Sequence, residues 1–274
     1  MGLYLGSTDI SGASFKLGSS DVSALYLGST ELYSAGGGQV TDSLVYAYDA
    51  NIWDQSATLL DESPNGYDLS ENGTVSVGTD GGGGKYFDFT NSSNYFNATV
   101  SGMGISNSNA YYTVEFIVKP LNSGKFTDGM AGIWGSGQNL FTFNYWNYDN
   151  SVAGVYTGGI VPYYGGFNYV AQNPPVVYNT WMHLVQVTDA TIGNFVQFYN
   201  GTKYNSTFEA GSQGNWPSGL TTPSSNNFTF GKQQTSSGSP NVYIAAHRFY
   251  NKALSDAEVA QQYAYWSSQG YTGL

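Results

Sequence analysis

Apolar residues along this chain fall into short runs of strand length, separated by frequent turn signals. The runs are Leu44–Tyr48, Tyr86–Phe89, Tyr111–Lys119, Leu140–Tyr145, Thr180–Thr188, Phe195–Tyr199, Phe228–Phe230 and Tyr243–Tyr250. Such runs with frequent turn signals predict antiparallel strands. In 114–118 the alternation puts Val114, Phe116 and Val118 on one face, with Glu115 and Lys119 on the other, and Pro120 closes the strand. Asn200-Gly201 between Phe195–Tyr199 and Thr202-Lys203-Tyr204 predicts a two-residue hairpin turn, because both residues tolerate positive φ. One helix is expected, near the end. Ser255 and Glu258 form a capping box, Val259, Tyr263 and Trp266 share a face, and Gly270 can stop the helix.

Residues 1–35 have a different pattern, repeated three times: Leu3–Ile10, Phe15–Val22 and Leu25–Leu32, each apolar, then Gly-Ser-Thr/Ser, then an acid and an apolar residue. Each copy predicts a small hairpin-like unit, too small to offset its own conformational entropy without a partner to dock on. Gly36-Gly37-Gly38 predicts a flexible joint, so the chain divides into a repeat segment (1–35), a Gly-rich linker (36–41) and a single domain (42–274). The fold class expected is all-β, an antiparallel sandwich with a small β-repeat segment in front and one short helix at the end.

Composition narrows the function. Nineteen acidic side chains against eight basic ones give a net charge of -11, which disfavours nucleic acid, since phosphate binding needs a Lys/Arg stripe. No apolar run approaches the roughly 20 residues of a membrane-crossing helix, so no membrane insertion is expected. The N-terminus lacks a basic region followed by an apolar core, so secretory export is not expected either. With no cysteine, neither a thiolate nucleophile nor a thiolate metal site can exist. Only 10% of residues are charged while 16% are aromatic, a mixture suited to a hydroxyl- and amide-rich β surface and to sugar ligands. Six Asn-X-Ser/Thr sequons, at Asn72, Asn91, Asn97, Asn200, Asn205 and Asn227, are read as a by-product of that composition.

No catalytic constellation is expected. Glycoside hydrolysis on such a sandwich would need two carboxylates on alternate residues of one strand, and the pair spaced that way, Asp256 and Glu258, belongs to the helix cap. His183 and His247 lie in neither a Ser-His-Asp order nor a zinc-binding spacing, and both are read as structural. The aromatic residues carry the binding expectation, because sugar C–H faces stack on rings while amides meet the hydroxyls. If 141–148 is a strand, Phe141, Phe143 and Tyr145 face the core, and Trp146 and Tyr148 share the other face with Thr142 and Asn144. Tyr156, Tyr163, Tyr164, Tyr169 and Trp216 sit among glycines and prolines and complete the candidate binding set, with burial as the alternative for each.

The segments Leu44–Ala50, Asp61–Leu69, Tyr86–Phe89, Tyr112–Pro120, Asn179–Val185, Phe198–Gly201 and Ile244–Glu258 resemble, in order and spacing, the laminin-G-like, concanavalin A-like jelly-roll family. The resemblance covers most of 42–268. It implies a jelly roll, and because related domains often carry calcium, it makes Asp49, Asp61 and Asp68 the metal candidates, against the alternative that they cap turns. The N-terminal Tyr-Leu-Gly-Ser-Thr units resemble leaders of bacteriophage tail-fibre and head-fibre proteins. Together the resemblances imply a non-enzymatic virion protein, assembled in the host cytoplasm and exposed on the particle. It would attach to other virion proteins through the N-terminal segment, form a homo-oligomer of trimeric type and bind host-surface glycans. A capsid decoration role and a glycan depolymerase are the alternatives.

Overall fold

The computed structural model describes residues 39–99, 111–121, 177–189, 194–205, 227–232 and 240–274 continuously, and elsewhere the strands named below. Each N-terminal repeat contains one two-stranded antiparallel ladder: β1 (Tyr4–Leu5) with β2 (Thr8–Asp9), β3 (Lys16–Leu17) with β4 (Ser20–Asp21), and β5 (Ala24–Leu27) with β6 (Thr30–Ser34). In each repeat the Thr or Ser of the Gly-Ser-Thr/Ser motif, at Thr8, Ser20 and Thr30, opens the second strand, and the Gly-Ser pair before it lies outside the described residues. Gly36-Gly37-Gly38 lies outside the described residues.

The remaining elements are β7 (Leu44–Asp49), β8 (Thr58–Leu59), β9 (Leu69–Asn72), β10 (Ser76–Thr79), β11 (Lys85–Asp88), β12 (Tyr95–Thr99), β13 (Tyr111–Pro120), β14 (Gly129–Gly135), β15 (Gln138–Asn150) and β16 (Val155–Tyr163). They continue with β17 (Tyr169–Ala171), β18 (Met182–Asp189), β19 (Asn194–Tyr199), β20 (Thr202–Asn205), β21 (Thr207–Ala210), β22 (Asn227–Phe230), β23 (Val242–Tyr250) and α1 (Asp256–Ser267). Two antiparallel sheets form. One has the order β10-β11-β23-β13-β18-β19-β20, with β7 also paired to β23; the other has the order β16-β15-β14-β22-β12-β9-β8. Strands adjacent in space and distant in sequence, such as β13 with β23 and β12 with β22, make this a jelly-roll sandwich.

The alternation read from the sequence decides which side chains fill the space between the sheets. Tyr46, Tyr48, Val114, Phe116 and Val118 from the eight-stranded sheet meet Leu69, Phe96, Phe228 and Phe230 from the other, all fully or nearly fully buried. Phe89 and Phe96 meet edge to face, and Phe230 packs edge-on against Phe87 and Phe89, the favoured aromatic geometry. At Gly231, φ is +89° and an added Cβ would fall inside the Phe89 ring, so only glycine lets β22 leave the sheet there.

The local signals are realised. Asn200 and Gly201 take φ of 47° and 73°, and Tyr199 pairs with Thr202 across the turn. The Ser255 side chain accepts from the Glu258 backbone N–H while Glu258 accepts from that of Ser255, a complete capping box. Helix α1 lies on the outer face of the eight-stranded sheet. Val259 joins a cluster with Ala47, Val185, Val187 and Tyr250, and Trp266 joins one with Ile117, Trp181, Ala246 and Tyr271. Tyr263 stacks on His183, with ring centroids 5.9 Å apart. The packing reaches back to Val40, which is buried in the first of these clusters and donates its N–H to Gln262 Oε1 at 3.2 Å. Lys252 then bridges Asp42 at 2.7 Å and Glu258 at 2.6 Å. The chain leading to the N-terminal repeats therefore joins the domain on the helix-covered side.

Candidate functional site

The two sheets present different outer faces, and only one of them is free of α1. Under the helix lies a carboxylate. Glu115 on β13 is 1% exposed, and its oxygens accept from His183 Nε2 at 2.8 Å, Trp266 Nε1 at 2.9 Å, Tyr250 Oη at 3.0 Å and Gln262 Nε2 at 3.2 Å. Arg248, in register opposite Glu115 on β23, sits 4.7 Å over the Trp266 ring. Burial pushes the Glu115 carboxyl upward, but the His183 hydrogen bond and charge, the Arg248 charge and the Tyr250 hydrogen bond outweigh it and hold it below its ordinary value. A carboxylate beside a histidine is the raw material of acid–base chemistry, yet both side chains are sealed beneath α1. The second histidine is also internal. His247 donates from Nδ1 to the Glu115 carbonyl at 3.1 Å, accepts from Tyr46 Oη at Nε2 at 2.9 Å, and stacks on Phe116. Burial drives it down to about 3, against partial support from the Glu115 carbonyl, so the ring is neutral.

The aspartates chosen as metal candidates are occupied by their own loops. Asp61 Oδ1 accepts the N–H groups of Ala47 at 2.8 Å and Ser63 at 2.9 Å, and Oδ2 accepts the Tyr67 N–H at 2.9 Å and the Ser63 hydroxyl at 2.6 Å. Asp68 accepts the Asp61 N–H at 2.9 Å, and Asp49 accepts the N–H and the amide of Asn51 at 2.8 and 3.1 Å. These are the contacts of turn-capping carboxylates. Among the described residues no group of three or more acidic or histidine side chains is placed to hold a metal ion.

The outer face of the seven-stranded sheet has another character. Asn97-Ala98-Thr99 on β12 and Asn227-Phe228-Thr229 on β22 run antiparallel, and their register sets Asn97 opposite Thr229 and Thr99 opposite Asn227. With Ala98 and Phe228 directed inward, the Asn and Thr side chains of both strands share the outer face, in alternating pairs. Asn72 on β9 lies opposite Tyr95 and donates its amide to Asn97 Oδ1 at 2.7 Å. Lys232 sits 4.9 Å above the Tyr95 ring. Tyr95, Asn97, Asn227, Thr229 and Lys232 enclose a depression of about 120 Å³. An aromatic face, two amides, a hydroxyl and an ammonium group in one recess form a polar site with one stacking surface, able to hydrogen-bond a polyhydroxylated ligand.

Residues 80–260 match the family model of the concanavalin A-like lectin/glucanase superfamily. The chain belongs to that superfamily. No curated protein sequence matches it. Among solved structures, this lectin-like jelly roll is similar to the Trypanosoma rangeli sialidase in complex with sialic acid, at 14% identity and a TM-score of 0.54, covering 91% of this chain and 36% of the sialidase chain. It is also similar to the binding domain of botulinum neurotoxin serotype G, at 14% identity and a TM-score of 0.54, covering 82% of this chain and 51% of that one. A third is the binding domain of botulinum neurotoxin DC in complex with rat synaptotagmin II, at 12% identity and a TM-score of 0.54, covering 85% and 53%. The chain spans between about a third and a half of the length of these structures. At such identities the likeness is one of fold.

Within this superfamily fold, four of the aromatic residues selected from sequence fall on the two strands at one edge of the seven-stranded sheet, β15 and β16. Trp146 and Tyr148 lie in β15, opposite Gly159 and Thr157 of β16; Tyr156 and Tyr163 lie in β16, opposite Asp149 and Thr142. Tyr169 begins β17, which pairs with β21 in a separate two-stranded sheet. Tyr164 and Trp216 lie outside the described residues. Sequence reasoning missed Tyr95, Asn97, Asn227, Thr229 and Lys232. The signal was present: two of the six sequons, at Asn97 and Asn227, put Asn and Thr two residues apart on one face of a strand, which is how this lattice is written.

Proposed function

We propose that this protein is a non-catalytic glycan-binding module of a virion, and that it engages host-surface sugars with the outer face of its seven-stranded sheet. The observation that carries this reading is the recess where the Tyr95 ring, the Asn97 and Asn227 amides and Lys232 converge. Membership in a lectin-containing superfamily supports it, as does the likeness to a sialidase bound to sialic acid and to toxin binding domains. The root of the N-terminal arm supports outward presentation. Val40 is held by Gln262 of α1 and Asp42 by Lys252 just before it, so the chain enters the domain on the helix-covered side, away from the Asn/Thr face. The internal position of the Glu115–His183 pair favours binding over hydrolysis.

The test is a glycan-array and host-cell binding assay of the full chain, with and without a calcium chelator. Saturable binding is expected, weakened at least tenfold by Tyr95→Ala with no change in the melting temperature, and unchanged by chelation because the Asp61 oxygens are filled by backbone and hydroxyl donors. Loss of binding on chelation would return calcium to the site. Folded protein that binds neither cells nor glycans would replace this reading with a decoration role on the particle.

A further inference from the structure

The recess around Tyr95 is small, and the groups that surrounding hydrogen bonds fix in it are donors. Its 120 Å³ is well below the several hundred Å³ in which proteins enclose a whole small-molecule ligand, so it takes one substituent of a larger ligand. Asn72 donates its amide to the Ser70 carbonyl at 3.4 Å and to Asn97 Oδ1 at 2.7 Å. A backbone carbonyl can only accept, which sets the orientation of the Asn72 amide and makes Asn97 Oδ1 the acceptor. The Asn97 oxygen is thereby engaged within the sheet, and its NH2 end is left for a ligand.

Lys232 brings charge to the same place. The turn after β22 sets its position: the Thr229 hydroxyl donates to the Lys232 carbonyl at 2.9 Å, and the Gly231 N–H donates to the Met130 carbonyl at 2.7 Å. Lys119, Lys203 and Lys252 are each bridged to a carboxylate, whereas Lys232 has no described carboxylate within ion-pairing distance and lies 4.9 Å from the Tyr95 ring centre. The ring attracts the ammonium but accepts no charge-assisted hydrogen bond, so the three N–H donors stay available. Acidic residues of the adjoining segments are turned elsewhere. Glu71, opposite Phe96, shares the inward side of the sheet and accepts the Val75 N–H at 2.6 Å. Asp88 belongs to the other sheet and accepts the Thr90 N–H and hydroxyl at 2.9 and 2.6 Å. The chain carries a net charge of -11, but at an ionic strength of about 0.1 M exposed charges more than about 10 Å away are largely screened, so the ammonium dominates inside the recess.

We propose that the recess selects glycans that carry an anionic substituent, a carboxylate, sulfate or phosphate on the sugar, whose oxygens accept from the Lys232 ammonium and the Asn97 amide. The inference rests on the reading that this recess binds glycans. An acceptor-only group matches a cradle of donors, where a neutral hydroxyl would bring a proton of its own with no acceptor fixed to receive it. Hydrogen bonds from an ammonium to an anionic oxygen are also about twice as strong as neutral ones.

The experiment measures affinities of the full chain for glucose, galactose, mannose and N-acetylglucosamine glycosides, each neutral, sulfated, phosphorylated and, for the first three, oxidised to the uronic acid. The uronamide, which keeps the shape of the uronic acid without its charge, is the control. In the series that binds, an anionic member is expected to bind about tenfold or more tighter than its neutral counterpart, with the preference shrinking as salt is raised. Which member gains most tells carboxylate from sulfate and phosphate. Lys232→Gln is expected to bring charged and neutral members to within about twofold of each other, Lys232→Arg to keep the preference, and Asn97→Asp to remove it by placing a like charge in the recess. Equal affinity for neutral and anionic members, or a Lys232→Gln protein with the wild-type preference, overturns the inference while leaving glycan binding intact. Inorganic sulfate or phosphate competing as strongly as the anionic glycan overturns it in favour of a free anion. No binding by any member of any series overturns the glycan reading itself. Melting curves establish that each variant is folded.

Discussion

Replacing Glu115 with alanine is expected to lower the unfolding free energy by about 3–5 kcal/mol, the cost of breaking a buried ionic network from one side. The substitution leaves the His183 ring, the Trp266 indole, the Tyr250 hydroxyl and the Gln262 amide without their shared acceptor, all beneath α1. It also removes the carboxylate that faces Arg248 and leaves Asp49 and Glu62 as the negative charges nearby. Gln262 transmits the loss outward, because its other amide atom holds the Val40 N–H at the root of the N-terminal arm. Glu115→Gln keeps the volume but brings donors where four donors converge, so it should recover only a minor part of the stability. Urea denaturation followed by fluorescence reads the effect as a lower midpoint at unchanged slope. A loss under about 1 kcal/mol for the alanine variant would mean that the helix is held by Val259 and Trp266 alone.

Acidification produces the second large effect, and its sign is set by His247. In the unfolded chain this ring takes up a proton below its ordinary value of 6.5; in the folded domain burial keeps it neutral down to about pH 3. Between these limits the unfolded state holds the extra proton, so stability falls as the pH is lowered, by about 1.4 kcal/mol per pH unit. Below the ordinary range of a glutamate, Glu115 adds to the loss, since its carboxyl is held down in the fold and its ionised form is stabilised there. Asp49 and Glu62 titrate in the opposite sense. Burial raises both, and Glu62, at about 7 beside the like charge of Asp49, loses stability as the pH rises; its exposure at the surface lets water screen that term. The comparison that isolates His247 is the stability of wild type and His247→Gln measured from pH 7 to pH 4. The variant is expected to be less stable at pH 7, because Tyr46 and the Glu115 carbonyl lose their partner, and to have a much flatter slope. Parallel slopes would contradict the assignment of the acid sensitivity to this ring.

The sandwich was largely legible in the sequence, because its central strands bury one face and alternate strictly. Val114, Phe116 and Val118 point inward as the period of two requires, and the Asn200-Gly201 turn and the Ser255 cap fall where their residues place them. The short strands β9, β10 and β12 were not legible. In Leu69-Ser-Glu-Asn72 and Tyr95-Phe-Asn-Ala-Thr99 a single large aliphatic or aromatic side chain reaches the core, Leu69 or Phe96, and the rest of each segment reads as loop. That same polarity makes β12 part of the candidate site, so the feature that concealed the strand is the feature that suggests a function. Glu115 was correctly placed on the outer face of β13. What the strand pattern could not contain is the helix arriving from residues 256–267 with Gln262 and Trp266 to enclose it, a contact between positions 147 and 151 residues apart.

Amide hydrogen exchange of the full chain with and without a bound glycan most directly tests the claim that the seven-stranded sheet's outer face is the binding surface. The account predicts that added protection concentrates in 93–99 and 227–232, the segments carrying Tyr95, Asn97, Asn227, Thr229 and Lys232, and leaves α1 and β13 unchanged. Protection confined to the Asp49, Asp61 and Asp68 loops, or to the helix-covered face, would contradict it.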